Sequence, residues 1–253
     1  MIKTVKIGKS IRLFQGDCLE VMKRIPDGSI DMVMSDPPYG TTACKWDSII
    51  PLEPMWGHLK RVIKKNGTIV MTAIQPFTTT LISSNMGMFK YCWVWDKVRP
   101  VGAHVSKYRP MARHEDIVVW CDGKTTYNRQ MVLRDKPRTG SKEYGRSEII
   151  GGKVSDKFNS ESRTYTHRNP TTIIIESNAS NKGRKHPTQK PVALMEYLIK
   201  TYTNEGETVL DFAMGSGTTL VACLNLNRNG IGIEKDLQYF EMAKERIHKE
   251  NLD

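Results

Sequence analysis

Short apolar runs and amphipathic stretches alternate at both ends of this chain of 253 residues. Ile11 to Asp17 reads as a short strand that ends in an acid. Cys18 to Ile25 carries apolar positions at helical spacing and stops at Pro26-Asp27-Gly28. Ile30 to Ser35 is a mostly apolar strand, and Asp36-Pro37-Pro38-Tyr39-Gly40 follows at once. Pro54 to Lys65 reads as a helix ended by Asn66-Gly67, Thr68 to Ala73 as a buried strand, Phe77 to Asn85 as a helix and Tyr91 to Asp96 as an aromatic-rich strand. Beyond Pro187 the pattern resumes: helix Pro191 to Thr203, strand Thr208 to Asp211, helix Thr218 to Asn225, strand Gly230 to Glu234 and helix Leu237 to Lys249. Strands alternating with helices predict an α/β fold with a parallel sheet covered on both faces.

The middle breaks this rhythm. After Lys97 only Glu115 to Cys121 is a convincing strand, and residues 122–185 are polar with few apolar runs beyond Thr171 to Ile175. So long a stretch without clear elements predicts either a functional loop region or a partly mobile one. Charge sharpens that reading. From Lys97 to Lys190 there are 20 Lys and Arg against 9 Asp and Glu, so the whole net charge of +11 lies in this block. Such a block suits a polyanion, whose binding is salt-dependent, although a solvated basic loop has the same composition. No apolar run approaches the ~20 residues of a membrane span. Met1 to Ser10 lacks the apolar core of a signal peptide. Five scattered cysteines without a CxxC pair predict a reduced, cytoplasmic setting, and six unclustered histidines predict no metal.

Two segments can carry chemistry. In Val209 to Thr218 a strand runs into Gly215-Ser216-Gly217 and then a helix. Glycines allow close backbone approach to a ligand, and a helix start offers free N–H groups. Glu234, ending the next strand, can hold two ribose hydroxyls. Leu220 stands where a GxGxxG fingerprint has its third glycine, which points away from a dinucleotide and towards another adenosyl ligand. A tight turn without a ligand remains the plain alternative. In Asp36-Pro37-Pro38-Tyr39 two prolines fix two φ angles, Asp36 adds an acceptor and Tyr39 a flat ring. Two acceptors gripping both N–H bonds of an exocyclic amine can draw its nitrogen towards tetrahedral geometry and free the lone pair for attack on a sulfonium methyl. Tyr39 can stack on a base taken out of the helix. A proline-rich turn capping a strand is the alternative here.

Asp36-Pro37-Pro38-Tyr39 resembles the catalytic DPPY motif of the amino-DNA methyltransferases. Asp211 to Thr219 resembles their cofactor motif, and His186-Pro187-Thr188-Gln189-Lys190-Pro191 the HPTQKP segment of their beta group. The order is catalytic motif, basic block, HPTQKP, glycine motif, as in that group. The resemblance implies a circularly permuted, Rossmann-like class I methyltransferase sheet over 1–96 and 186–253, with a basic target-recognition insertion at 97–185. It implies S-adenosylmethionine as cofactor and Asp36, Pro37, Pro38 and Tyr39 as the catalytic turn. Asp211, Ala213, Gly215, Ser216, Gly217 and Thr218 would surround the methionine part, with Glu234 on the ribose, Asp17 facing the adenine, Thr188 and Lys190 closing over the methionine end, and Asp36 alongside. Ala213 stands where the family usually has Phe, with Phe212 one place earlier. For DNA the candidates are Trp46, Arg99, His104, Lys107, Arg109 and Arg113; Arg and Lys position phosphates or read guanine.

The resulting expectation is a site-specific adenine-N6 methyltransferase acting on duplex DNA, with a homodimer and a separate restriction enzyme as candidate partners. Cytosine-N4 transfer is the nearest rival, because that motif more often begins with Ser and Ser35 precedes Asp36. A catalytically silent DNA-binding relative and a methyltransferase for RNA or a protein amide are the other readings weighed.

Overall fold

In the computed structural model, residues 2–41, 47–140, 163–178 and 189–251 are described. They form two compact units, Met1–Asn128 with Thr172–Asp253, and Arg129–Thr171. The expected insertion boundary at 97–185 is therefore wider than the second compact unit.

In chain order the first unit has β1 (Lys3–Ile7), β2 (Ile11–Gln15), α1 (Cys18–Met22), β3 (Ile30–Ser35), α2 (Leu52–Val62), β4 (Ile63–Ala73), α3 (Phe77–Ser83), β5 (Phe89–Val101) and β6 (Ala112–Cys121). The second unit contributes β7 (Val132–Gly140) and β8 (Arg163–Arg168). The first resumes with β9 (Ile173–Ile175), α4 (Val192–Tyr202), β10 (Thr208–Asp211), α5 (Thr218–Asn225), β11 (Asn229–Glu234) and α6 (Leu237–Glu250). Nine strands make one sheet, ordered β1-β2-β11-β10-β3-β4-β6-β5-β9. Its centre, β2 to β4, is parallel; β1, β6 and β5 join antiparallel, and β9 lies parallel to β5. The sheet is thus mixed, not parallel throughout.

Alternation along the strands separates two cores. Met32 and Met34 of β3 pack with Leu194, Leu198, Leu220 and Phe240 of α4, α5 and α6. Val33, between them, packs with Val21, Met55, Leu59 and Leu81 of α1, α2 and α3. Helices cover both faces, which is why β3 reads as a continuous apolar run.

Helix α2 stops three residues before the expected end. Ile63 is extended (φ −71°, ψ 139°) and pairs with Ile30 of β3. Asn66 takes a left-handed φ of 66° at the turn into the rest of β4. The second unit, described by itself, is an antiparallel ribbon of β7 and β8 with a bulge between Leu133 and Arg138.

Two connections run in opposite directions across the sheet. From β10 the chain passes through α5 to β11 on one side, and from β3 through α2 to β4 on the other. The order reverses between β10 and β3, and such a reversal opens a crevice at the carboxyl ends of the strands. Asp17, Asp36, Asp211 and Glu234 all stand there, at or just beyond the ends of β2, β3, β10 and β11. Among the described residues no helix is long and apolar enough to cross a membrane.

Candidate active site

A cavity of about 850 Å³ opens at this end of the sheet, a size suited to a small organic ligand. Among the described residues its wall carries seven carboxylates, including Asp17, Asp36, Asp211 and Glu234, against three cations, Lys97, Lys190 and Lys235. A strongly basic protein thus keeps an acidic cavity. That inversion suits a ligand with ribose hydroxyls and a positive sulfur, since acids accept hydrogen bonds from the first and neutralise the second.

The two motifs meet directly. Ser35 Oγ donates to Asp211 Oδ1 at 2.7 Å, across neighbouring strands. The Ala213 N–H donates to the same oxygen at 3.1 Å. Burial pushes the Asp211 carboxyl up to about 6, although hydrogen bonds from Thr219, Ser35 and Ala213 pull it down. Glu234 accepts from Gly215 N at 2.9 Å and Asp236 N at 2.8 Å. Burial raises its pKa against those bonds. Asp17 caps α1 through Leu19 N at 3.0 Å and pairs with Lys235 at 3.1 Å. Phe212 and Ala213 both line the cavity.

Gly217 has a different place. Among the cavity-lining residues are Gly215, Ser216 and Thr218, but Gly217 is not one of them. It caps α5 with φ +75°, and a Cβ there would come within 2.8 Å of Ile247 Cδ1 and 3.2 Å of Ala243 Cβ. Its lack of a side chain serves packing against α6. From α6, Arg246 donates to Ser216 O at 3.1 Å and Thr218 Oγ1 at 3.0 Å, bracing the turn from below.

On the other side of the crevice, Asp36 is held at both oxygens. Tyr39 OH donates to Oδ1 at 2.5 Å, and Thr72 of β4 also donates there. Lys190 Nζ lies 2.8 Å from Oδ2. Burial and the Asp36 charge push the Tyr39 phenol well above its usual range, so it remains a donor. Burial opposes the Lys190 ammonium, but Asp36, Tyr39 and Glu115 outweigh it and hold its pKa well above the ordinary value. Pro37 and Pro38 line the cavity beside Asp36. Asp47 anchors the turn by accepting from Gly40 N and Thr41 N, each at 2.9 Å. Lys190, expected over the methionine end, thus stands at the Asp36–Tyr39 turn.

The expected DNA-contacting residues Arg99, His104, Lys107, Arg109 and Arg113 are exposed and lie between the end of β5 and the start of β6. Asp116 of β6 pairs with Ala73 at the end of β4, so this stretch extends from the cavity end of the sheet. Arg113 is not a free fork: its Nε and one terminal nitrogen each donate to Asp96 at 2.8 Å. Trp46 and Thr188 lie outside the described residues. Sequence reading missed Thr72, Lys97, Glu115 and Arg246, and gave Asp47 no role beyond a neighbour of Trp46. Among the described residues, no group of three or more His, Cys, Asp or Glu could hold a metal.

An α/β fold with an acidic cavity at its strand reversal, faced by an acceptor turn, defines an adenosyl-dependent transferase. The DNA methylase family model matches residues 30–245. The type II methyltransferase M.HpaI of Haemophilus parainfluenzae is 31% identical over 257 residues, covering 94% of this chain and 74% of the relative. The crystal structure of the M1.HpyAVI–SAM complex aligns with a TM-score of 0.63 and 25% identity, over 93% of this chain and 99% of its own. The fold is also that of the PvuII cytosine-N4-specific DNA methyltransferase, with a TM-score of 0.66 and 14% identity over 97% of this chain and 93% of its own. The chain belongs to the N6/N4 DNA methylase family and is an S-adenosylmethionine-dependent DNA amino-methyltransferase.

Proposed function

We propose that the protein methylates N6 of adenine at a fixed site in duplex DNA, with Asp36 and the Pro37 carbonyl accepting the two N–H bonds of a flipped-out base. The observation that carries this reading is the Asp36 carboxylate on the cavity wall, its Oδ1 fixed by Tyr39 and Thr72. Ser35, the residue that left cytosine-N4 chemistry open, is buried and spends its hydroxyl on Asp211. The carboxylate, not the serine, therefore faces the site.

S-adenosylmethionine supplies an electrophilic methyl on a positive sulfur. In this reading Asp211, Ala213, Gly215, Ser216 and Thr218 hold its methionine part, Glu234 its ribose and Asp17 its adenine, with Thr188 completing the methionine end. Asp36 fixes the amine, and its negative charge steadies the positive charge that grows on the nitrogen. As the N–C bond forms, the methyl–sulfur bond would break with its electron pair left on sulfur, and a proton would leave the nitrogen towards Asp36. Tyr39 supports both the acceptor and the base.

In this reading residues 97–185 carry target recognition, with Arg99, His104, Lys107, Arg109 and Arg113 as candidate DNA contacts and Trp46 as a further candidate. The order of the two motifs reflects a circular permutation. The type II relative gives the further reading that the chain works beside a separate restriction enzyme, and a homodimer belongs to the same reading. Transfer of labelled methyl to unmodified genomic duplex DNA, followed by mass analysis of nucleosides, tests the base. N6-methyladenine is expected, and N4-methylcytosine refutes the assignment. Asp36→Ala should lower transfer by at least about 100-fold while sparing cofactor affinity.

A further inference from the structure

The second oxygen of Asp36 presents a difficulty. Oδ1 is taken by Tyr39 and Thr72, and Oδ2 lies 2.8 Å from Lys190 Nζ. The same ammonium stands over the Tyr39 ring, 5.6 Å from its centroid, where a base would stack. An amine that attacks a sulfonium methyl gathers positive charge, and a cation fixed beside it opposes that step. Lys190 must leave Oδ2 as the base enters. Its side chain is only 8% exposed, and an ammonium stripped of every partner in such a place is strongly disfavoured.

Glu115 offers the second seat. Strand β6 carries it to the cavity wall, with Oε2 3.2 Å from the same Nζ. That oxygen is buried and makes no hydrogen bond among the described residues. The other oxygen, Oε1, accepts from Lys97 at 3.2 Å, and Lys97 is itself buried. Lys97 thus fixes the carboxylate, with Oε2 turned towards Lys190. A buried acceptor without a hydrogen bond is a standing cost, and a small swing of Lys190 removes it.

We propose that Glu115 is a positioning residue for methyl transfer: it receives the Lys190 ammonium when the target base displaces it from Asp36. This clears the Asp36 oxygen and the Tyr39 face together. The inference rests on the reading of Asp36 as the amine acceptor.

The test uses the full chain, a duplex substrate and four variants: Glu115→Gln, Lys190→Met, their double, and Asp36→Ala. The measurements are kcat, KM for DNA and cofactor affinity by calorimetry. Glu115→Gln should lower kcat at saturating DNA by about tenfold or more, because a neutral amide is a weaker seat than a carboxylate. Cofactor affinity should stay unchanged. The double variant should turn over as fast as Lys190→Met alone, since no ammonium is left to move. A purely structural Glu115 would slow the Lys190→Met enzyme as well, because Lys97 loses its partner in both backgrounds. Should Glu115→Gln fold poorly, pairing it with Lys97→Met removes the orphaned cation and the same comparison is made. If Asp36→Ala is inactive while Glu115→Gln matches wild type, or while its loss persists without Lys190, this proposal falls alone. If Asp36→Ala stays active, the reading beneath it falls.

Discussion

Asp211→Asn should make the folded protein more stable at neutral pH while weakening cofactor binding. Asp211 is 3% exposed, and its carboxyl rises from 3.8 to about 6 because burial disfavours the charge. For an acid whose pKa is raised on folding, the stabilising contribution is complete below the unfolded value. It disappears as pH rises through the folded value. Between pH 3.8 and about 6 that loss amounts to roughly 3 kcal/mol, at about 1.36 kcal/mol per decade. The amide of Asn has no charge to bury. Its oxygen still accepts from Ser35 and Ala213, but its NH₂ group needs an acceptor that the carboxylate did not, so a net gain of ~1–2 kcal/mol at pH 7.5 is expected. Urea unfolding of both proteins between pH 4 and pH 8 measures it. Taking the difference cancels the other titrating groups. The gap between variant and wild type should be small or negative at pH 4 and grow in favour of the variant up to pH 7. A gap that stays constant with pH, or a variant less stable at pH 7.5, refutes the account of Asp211 as a charge buried for function.

Gly217→Ala should lose about 1–3 kcal/mol of stability from a left-handed φ and the clash with α6, with little loss of cofactor affinity in the protein that remains folded; denaturant titration and calorimetry separate the two. Tyr39→Phe removes a hydroxyl from the Asp36 carboxylate and should lower kcat by about 10-fold or more, with cofactor affinity intact in the same binding assay. Affinity for non-specific duplex should fall steeply between low and moderate salt, with a log–log slope of about −0.9 per phosphate neutralised; a flat titration by fluorescence anisotropy would mean that the basic surface is not where DNA lies.

Much of the central sheet was legible because burial on both faces writes itself as short continuous apolar runs. Ile30 to Ser35, Thr208 to Asp211 and Thr218 to Asn225 have the bounds expected from sequence. The ribbon of β7 and β8 was not legible. All described side chains of β8 are exposed, so no alternation of apolar and polar positions marks it. β1 does alternate, at Val5 and Ile7, but two lysines among its five residues weaken the apolar signal. At the site, local motifs marked Asp36 and Gly215. The groups that hold them come from elsewhere: Thr72 from β4, Arg246 from α6, Glu115 from β6. A contact between residues far apart in the chain leaves no spacing to read. Ser35 illustrates this best, since its hydroxyl donates to a residue 176 positions away.

The strand order has a bearing on how this protein is made. β10 and β11 fill the gap between β2 and β3, yet the ribosome releases them long after both neighbours. A chain halted before Thr208 holds two bare strand edges in mid-sheet and no complete crevice. Its unpaired edges stay open to association until β10 and β11 arrive.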